Sequence, residues 1–325
     1  MLKMKQRQVP LVLRQEEALL RRLPYQHTKR REIEDSIGKR WAGYRGEQAL
    51  DYHLDLLPYH QFRILHDIRL RTLHKNFQID TLILTPQVGF ILEVKNIAGT
   101  LHLENESGQF VRTLNGVKAR YSNPLSQVKR QRELLKNWLH LRGVYAYPLH
   151  CHVVISNPET LLEFENEFSI PITMLTETVD RLKEVVDHYK NRGTFNMNTM
   201  AQSLISEDVP YHPNILSSYS VPTSQVLKGV MCIKCKEYSM FRVRQSWECS
   251  SCNDRSRKAH LLSLADYFLL FGSTLTNKRC RDFLGHSSAG AVSKMLSRME
   301  LTYTGATNTR TYMMPDNIEK WLHPS

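Results

Sequence analysis

The feature that most restricts the fold is a pair of short apolar runs, residues 78–84 and 89–95, joined by Thr85-Pro86-Gln87-Val88. Their β-branched, alternating composition predicts two strands, and the four residues between them predict a turn. A hairpin symmetric about Pro86 and Gln87 sets Leu84 opposite Gly89 and Asp80 opposite Glu93. Directly opposed residues keep their Cβ atoms roughly 4.5–5.5 Å apart. Two carboxylates held that close repel unless a cation or a proton lies between them. Glu93 and Lys95, two apart on one strand, project from the same face. One face of the hairpin is thus expected to offer two oxygen ligands and an ammonium.

The rest of the chain supplies a context for that hairpin. Further strand-like stretches fall at 62–65, 100–104, 110–114, 151–156 and 170–175, and helical patterns at 16–23, 30–57 and 178–190. Asn123-Pro124 provides a cap and a proline in the first helical position, opening a helix to about residue 141. Strands flanked by helices predict an α/β domain with a mixed sheet over 38–206, preceded by a basic helical segment, 1–37. Prolines among serines at 207–228 read as a linker, followed by a four-cysteine module, 229–258, and a small helix-rich unit, 259–325.

Two carboxylates and an ammonium on one face suit phosphodiester hydrolysis. Hard oxygen ligands select Mg²⁺ or Mn²⁺, and a lysine beside the ion positions the attacking water or stabilises developing charge. Glu47 shares a helical stripe with Leu50, Leu54 and Leu57, so its carboxylate points toward the core and needs a partner such as a metal or a lysine. Gln127 sits in the first turn of the helix opened by Asn123-Pro124, on one stripe with Gln131, Leu134 and Trp138. Taken alone, each of these two reads more readily as a polar group at the edge of the core.

Together, Gly43-Tyr44-Arg45-Gly46-Glu47, Ile79-Asp80, Glu93-Val94-Lys95-Asn96 and Asn123-Pro124-Leu125-Ser126-Gln127 resemble the ordered motifs of the NERD (nuclease-related) domain, a family of the PD-(D/E)xK nuclease superfamily. The resemblance covers roughly residues 38–155. It implies a restriction-endonuclease-like fold and a metal site of Asp80 and Glu93 with Glu47 contributing. It also implies Lys95 at the catalytic water and Gln127 in support. Ile79 stands where the superfamily name has proline, a departure that leaves the chemistry intact.

Cys232-Ile-Lys-Cys235 and Cys249-Ser-Ser-Cys252 are two Cys-x₂-Cys knuckles, and four thiolates at this spacing suit a closed, structural Zn²⁺ site, a zinc ribbon. Lys234, Lys236, Arg242, Arg244, Arg255, Arg257 and Lys258 surround it and suit a DNA backbone. Beyond it, three helical stretches and two strand-like ones resemble a winged helix. Residues 288–298 form its candidate recognition helix, with Ser293, Lys294, Ser297 and Arg298 facing DNA and Arg310 on the wing. The bland alternatives are a structural clip for the ribbon and a protein-interaction module for the winged unit.

Charge points the same way. Residues 1–50 hold 12 Lys/Arg against 6 Asp/Glu and residues 226–300 hold 13 against 6, whereas 51–225 hold 17 against 18. Two basic ends around a near-neutral centre suggest an anionic polymer held at both ends. Leu11-Val12-Leu13 is too short an apolar core for a signal peptide, and no run is long enough to span a membrane. The expectation is a cytoplasmic protein with reduced cysteines, no membrane partner, and room for a homo-oligomer. His150, Cys151, His152 and Cys280 read as ordinary core or surface residues, and no Walker loop, Ser-His-Asp order or dinucleotide fingerprint is present. The reading is a Mg²⁺- or Mn²⁺-dependent DNA endonuclease that favours duplex DNA, with a role against foreign DNA by family analogy. RNA stays open as a substrate. Its rival is a DNA-binding regulator that keeps the nuclease fold as a scaffold without cutting.

Overall fold

The computed structural model describes residues 3–73, 75–103, 109–164, 170–306 and 309–323. The expected strand end at Glu104 and the wing residues 307 and 308 therefore lie outside the described residues. The chain divides into two compact units, residues 1–9 with 39–211 and residues 10–38 with 212–325. Strand β1 (Lys3–Lys5) and most of helix α2 (Arg30–Leu54) belong to the first unit, and helix α1 (Leu11–Arg22) to the second.

The first unit continues with β2 (Arg63–Arg71), β3 (Asn76–Leu84), β4 (Gly89–Lys95), β5 (Gly99–Leu103), β6 (Phe110–Leu114), β7 (Val117–Tyr121) and α3 (Pro124–His140). After these come β8 (Leu149–Ile155), β9 (Thr160–Glu163), β10 (Ile172–Met174), α4 (Thr178–Tyr189) and α5 (Met197–Ser206). A six-stranded sheet runs in the order β1-β2-β3-β4-β8-β10. β2, β3 and β4 are antiparallel neighbours, while β8 lies parallel to β4, and β10 to β8. The sheet is mixed, as expected. A second sheet, β7-β6-β5-β9, stands beside it.

Helices cover both faces of the main sheet. Ile64, Ile83, Phe90, Leu92 and Val154 form one core with Leu50 and Leu54 of α2 and Val179 and Leu182 of α4. Leu65, Leu82, Leu84, Ile91 and Val153 form another with Leu125, Val128, Leu135 and Trp138 of α3 and Met200, Ala201 and Leu204 of α5. Successive strand residues alternate between the two cores, the period of two that a strand imposes. Because both faces are covered, β3 and β4 read as nearly continuous apolar runs.

The second unit holds α6 (Ile215–Ser218), then an antiparallel ribbon of β11 (Met240–Val243), β12 (Ser246–Cys249) and β13 (Arg255–Ser256). It ends with α7 (Ala259–Phe271), β14 (Thr274–Thr276), α8 (Asn277–Leu284), α9 (Ala289–Ser297), β15 (Tyr303–Thr304), β16 (Thr311–Met313) and α10 (Glu319–Leu322). Strands β14, β16 and β15 form one antiparallel sheet, so helix, strand, helix, helix and hairpin follow in winged-helix order. Gly285 stops α8 in the left-handed region at φ 68°. The Ser288 hydroxyl caps α9 by accepting the Ala291 N–H at 3.2 Å.

The stretch expected as a linker departs from that expectation. Ile215, Leu216, Tyr219, Val221 and Val226 are buried in one core with Ala18 and Leu19 of α1 and with Trp247 and Phe268. Its prolines punctuate a packed segment, and the first unit ends only at Tyr211. The expected 1–37 segment is likewise shared between the two units.

Candidate functional site

The hairpin forms in the expected register, with Leu84 opposite Gly89 and Thr81 opposite Leu92. One further step along that register brings Asp80 to Glu93. Lys95 Nζ lies 2.6 Å from Glu93 Oε1, and Gln127 Nε2, from the first turn of α3, donates to Glu93 Oε2 at 2.6 Å. Gln127 Oε1 in turn faces Lys95 Nζ at 3.4 Å. Gln131, one turn on, reaches the Gln78 carbonyl at 3.0 Å and Glu93 Oε2 at 3.4 Å. Both glutamines of the predicted α3 stripe therefore address Glu93. Asn123 holds the start of that helix by accepting the Leu125 N–H at 2.8 Å.

Two other motif residues bring α2 to the same place. A Cβ on Gly46 would fall 2.5 Å from Ser156 Oγ and 2.8 Å from Asn96 Cβ, so only glycine allows this approach. Asn96 Nδ2 donates to the Ala42 carbonyl at 2.7 Å, tying the end of β4 to α2. Glu47 follows Gly46 directly.

Crowding of acids dominates the electrostatics. Burial, reinforced by the charge of Asp80, pushes Glu93 up to about 7 and Glu47 up to about 8. Burial also holds Asp80 above the usual carboxylate range, against the pull of Lys95 and Arg7. Asp67 is raised to about 6 by burial. A hard cation would relieve the repulsion among these clustered carboxyls, and their oxygen donors suit Mg²⁺ or Mn²⁺.

Sequence reasoning missed Arg7, Asp51 and Asp67, which belong to this cluster. Arg7 Nη1 lies 2.6 Å from Glu47 Oε2, and Arg7 grips Asp51 with Nε at 2.9 Å and Nη2 at 3.1 Å. No local pattern around Arg7 announces this, because its partners lie 40 or more residues away. The basic N-terminus is accordingly spent in part inside the protein. Lys3 pairs with Asp55, Lys5 with Asp208, Arg14 with Glu319, and Arg21 and Arg22 with Asp266. With those of Arg7, these pairs engage half of the twelve cations counted at the N-terminal end, while Arg31, Lys39 and Arg45 are exposed.

The near-neutral centre also hides a local excess. Residues 112–142 carry eight Lys/Arg against one Asp/Glu. Lys118 and Arg120 on β7 and Lys129, Arg130 and Lys136 on α3 are exposed. The chain between these two elements leads directly to Gln127.

In the second unit the four predicted cysteines meet. All four Sγ atoms lie within 4.8 Å of one another, with Cys232 to Cys252 at 3.7 Å and Cys235 to Cys249 at 3.5 Å. A tetrahedral Zn–S site with bonds of about 2.3 Å separates its sulfurs by roughly 3.8 Å, so the cluster fits that ion. Each knuckle closes on a left-handed residue, Lys236 at φ 65° and Asn253 at φ 58°. Their N–H groups bond back to Cys232 O and Cys249 O, both at 2.9 Å. Lys234, Lys236, Arg255, Arg257, Lys258, Lys294 and Arg298 are exposed, while Arg310 is half-buried over the Tyr303 ring at 4.1 Å. Arg255 is engaged by Glu248 at 2.9 Å. Arg242 is lowered by burial and then by the charge of Arg298, so cations of the ribbon and of α9 share one neighbourhood.

Among the described residues, no helix is long and apolar enough to cross a membrane. No curated protein and no solved structure matches the chain. The family model of the nuclease-related domain, NERD, matches residues 42–156, a span that contains Gly43, Glu47, Asp80, Glu93, Lys95 and Gln127. Residues 42–156 are thus similar to the nuclease-related domain.

Proposed function

We propose that this chain is a metal-dependent nuclease that hydrolyses phosphodiester bonds in DNA. The observation that carries the reading is the grip on Glu93: Lys95 holds one carboxylate oxygen and Gln127 the other, each at 2.6 Å, with Asp80 next to them. Asp80 and Glu93, with Glu47 contributing, would hold Mg²⁺ or Mn²⁺. Bound there, the ion supplies Lewis acidity toward a phosphate oxygen and a water of lowered pKa. Lys95 keeps an ammonium beside the reacting centre, where it orients a water and offsets negative charge. Gln127 spans Glu93 and Lys95, fixing the carboxylate and the ammonium relative to each other.

The cysteine cluster reads as one structural Zn²⁺ site, closed to substrate because protein fills all four positions. The ribbon and the winged unit read as a DNA-recruiting module, with Lys294 on α9, Arg298 at its C-terminal cap, Arg310 on the wing, and Lys234, Lys236, Arg255, Arg257 and Lys258 around the ribbon.

The test is incubation of the purified protein with plasmid DNA and Mg²⁺ or Mn²⁺, read on a gel. Wild type is expected to nick or linearise the plasmid, and EDTA, Asp80→Ala, Glu93→Ala or Lys95→Ala to stop it with folding intact. Glu47→Ala and Gln127→Ala are expected to give partial losses. A wild type inert on DNA and on RNA with both ions overturns the enzyme and leaves the DNA-binding regulator.

A further inference from the structure

Arg7 lies outside the residues that match the nuclease-related domain, yet its side chain is only 3% exposed. Its guanidinium meets acceptors on every side. Nε and Nη2 fork onto the two oxygens of Asp51, and Nη1 donates to Glu47 Oε2 at 2.6 Å. Nη2 also reaches Thr81 Oγ1 at 2.7 Å and His66 Nδ1 at 2.8 Å, and Nη1 faces the Asp80 carbonyl at 3.4 Å. β1 fixes the approach two residues earlier, pairing Lys5 with Leu65, while Lys5 Nζ donates to the Asp67 carbonyl at 2.6 Å.

We propose that Arg7 is a positioning residue of the metal centre: it holds Glu47 by Oε2 and ties it to the strand that carries Asp80. The inference rests on the nuclease reading above. Three features favour this over a surface-type ion pair. Surface pairs leave their charges in water, whereas this one is enclosed. The fork reaches α2 through Glu47 and Asp51, β2 through His66, and β3 through Thr81 and Asp80, so one rigid group sets the spacing of three elements. A carboxylate has two oxygens, and engaging Oε2 orients the other for a ligand, as outer partners do for metal-binding groups generally. Lysine brings the charge without the planar fork, so it does not replace Arg7 here.

The experiment compares wild type, Arg7→Lys, Arg7→Met, Asp51→Asn and the double variant Arg7→Met/Asp51→Asn. Three quantities are measured on each full-length protein: melting temperature, Mn²⁺ affinity from the electron paramagnetic resonance of free Mn²⁺, and plasmid cleavage. The double variant removes one positive and one negative charge, so its net charge matches wild type and simple attraction for the ion is unchanged. Arg7→Met alone is expected to melt lower, since it strands Asp51. The double variant recovers much of that melting temperature. Its Mn²⁺ affinity nevertheless stays weaker by about tenfold or more, with cleavage reduced in step, the range usual for loss of an outer partner. Arg7→Lys is expected to resemble the double variant in affinity and cleavage.

A double variant that binds Mn²⁺ as tightly as wild type and cleaves as well as Asp51→Asn overturns the inference and leaves Arg7 a structural ion pair. Faster cleavage by Arg7→Met overturns it too, because the guanidinium would then be a competitor for the metal. If wild type neither binds Mn²⁺ nor cleaves, the nuclease reading fails and this inference falls with it. The two failures differ in whether wild type is active.

Discussion

At the scale of single residues, most of the candidate site's geometry was legible because the strand period of two and the helix period of 3.6 decide which side chains share a face. Asp80, Glu93 and Lys95 needed only the hairpin register, which the turn around Pro86 sets. Gln127 and Gln131 needed only the α3 stripe. Arg7 was illegible because long-range pairing leaves no local periodicity. Gly46 gives a direct prediction. Alanine there would set a Cβ 2.5 Å from Ser156 Oγ and 2.8 Å from Asn96 Cβ, so α2 must shift with Glu47 on it. Gly46→Ala is expected to lower cleavage by tenfold or more, about 1.4 kcal/mol or more, with the two units still folded by circular dichroism. Unchanged cleavage would show that the close approach at Gly46 does not set the position of Glu47. A second prediction concerns acid. Burial lowers His152 and His260 to about 4. A folded-state value below the unfolded value of about 6.5 means stability that is fully present above that pH and is lost as pH falls toward the folded value. Between pH 6.5 and 4 wild type is expected to lose melting temperature relative to His152→Gln, which cannot titrate, the raised carboxyls of the first unit being common to both proteins. His152→Gln melting with the same pH slope as wild type would refute it.

At the scale of elements, long buried strands and capped helices were readable and short or exposed ones were not. α8 and its glycine stop, and α9 with its serine cap, carry their boundaries in the sequence. β7, largely exposed, and β1 and β14, three residues each, give no apolar alternation to detect. On the proposed Zn²⁺ site, the ribbon is the element whose stability would depend on a ligand. Cys232 and Cys249 are buried within the core of the second unit, beside Trp247 and Met240. Metal binding at the proposed Zn²⁺ site would be folding free energy, so the ribbon and the helices packed on it would stand or fall with the ion. Elemental analysis is expected to return about one Zn²⁺ per chain. Cys→Ser at any of the four positions is expected to lower the melting temperature of the second unit and leave Mn²⁺ binding by the first. A metal-free protein that melts as high as the purified one would remove zinc from the account.

At the scale of the whole molecule, the question is which basic surface holds the nucleic acid. The sequence totals pointed to the two ends, but internal pairing takes up much of the N-terminal charge, and a compact excess, residues 112–142, was averaged away in a long neutral segment. That leaves two surfaces, the β7–α3 stretch leading to Gln127 and the α9–ribbon face. Deleting the tail is a poor way to separate them, because Ile215, Leu216 and Val221 are buried together with α1 residues and a cut near 225 would expose them. Substitution of exposed cations is cleaner. Each phosphate contact contributes roughly 0.9 to the slope of log affinity against log salt for duplex DNA. Lys294→Ala/Arg298→Ala is expected to reduce that slope by up to about two and to weaken binding, with cleavage recovered at high enzyme concentration and low salt. Lys118→Ala/Arg120→Ala is expected to reduce the slope similarly but to depress cleavage even at saturating enzyme, because on the nuclease reading those cations would place the backbone beside the site rather than recruit it. An unchanged slope for the α9 pair would mean that the winged unit recognises a protein. Full cleavage at saturation by the β7 pair would mean that the strand before Gln127 does not guide the substrate.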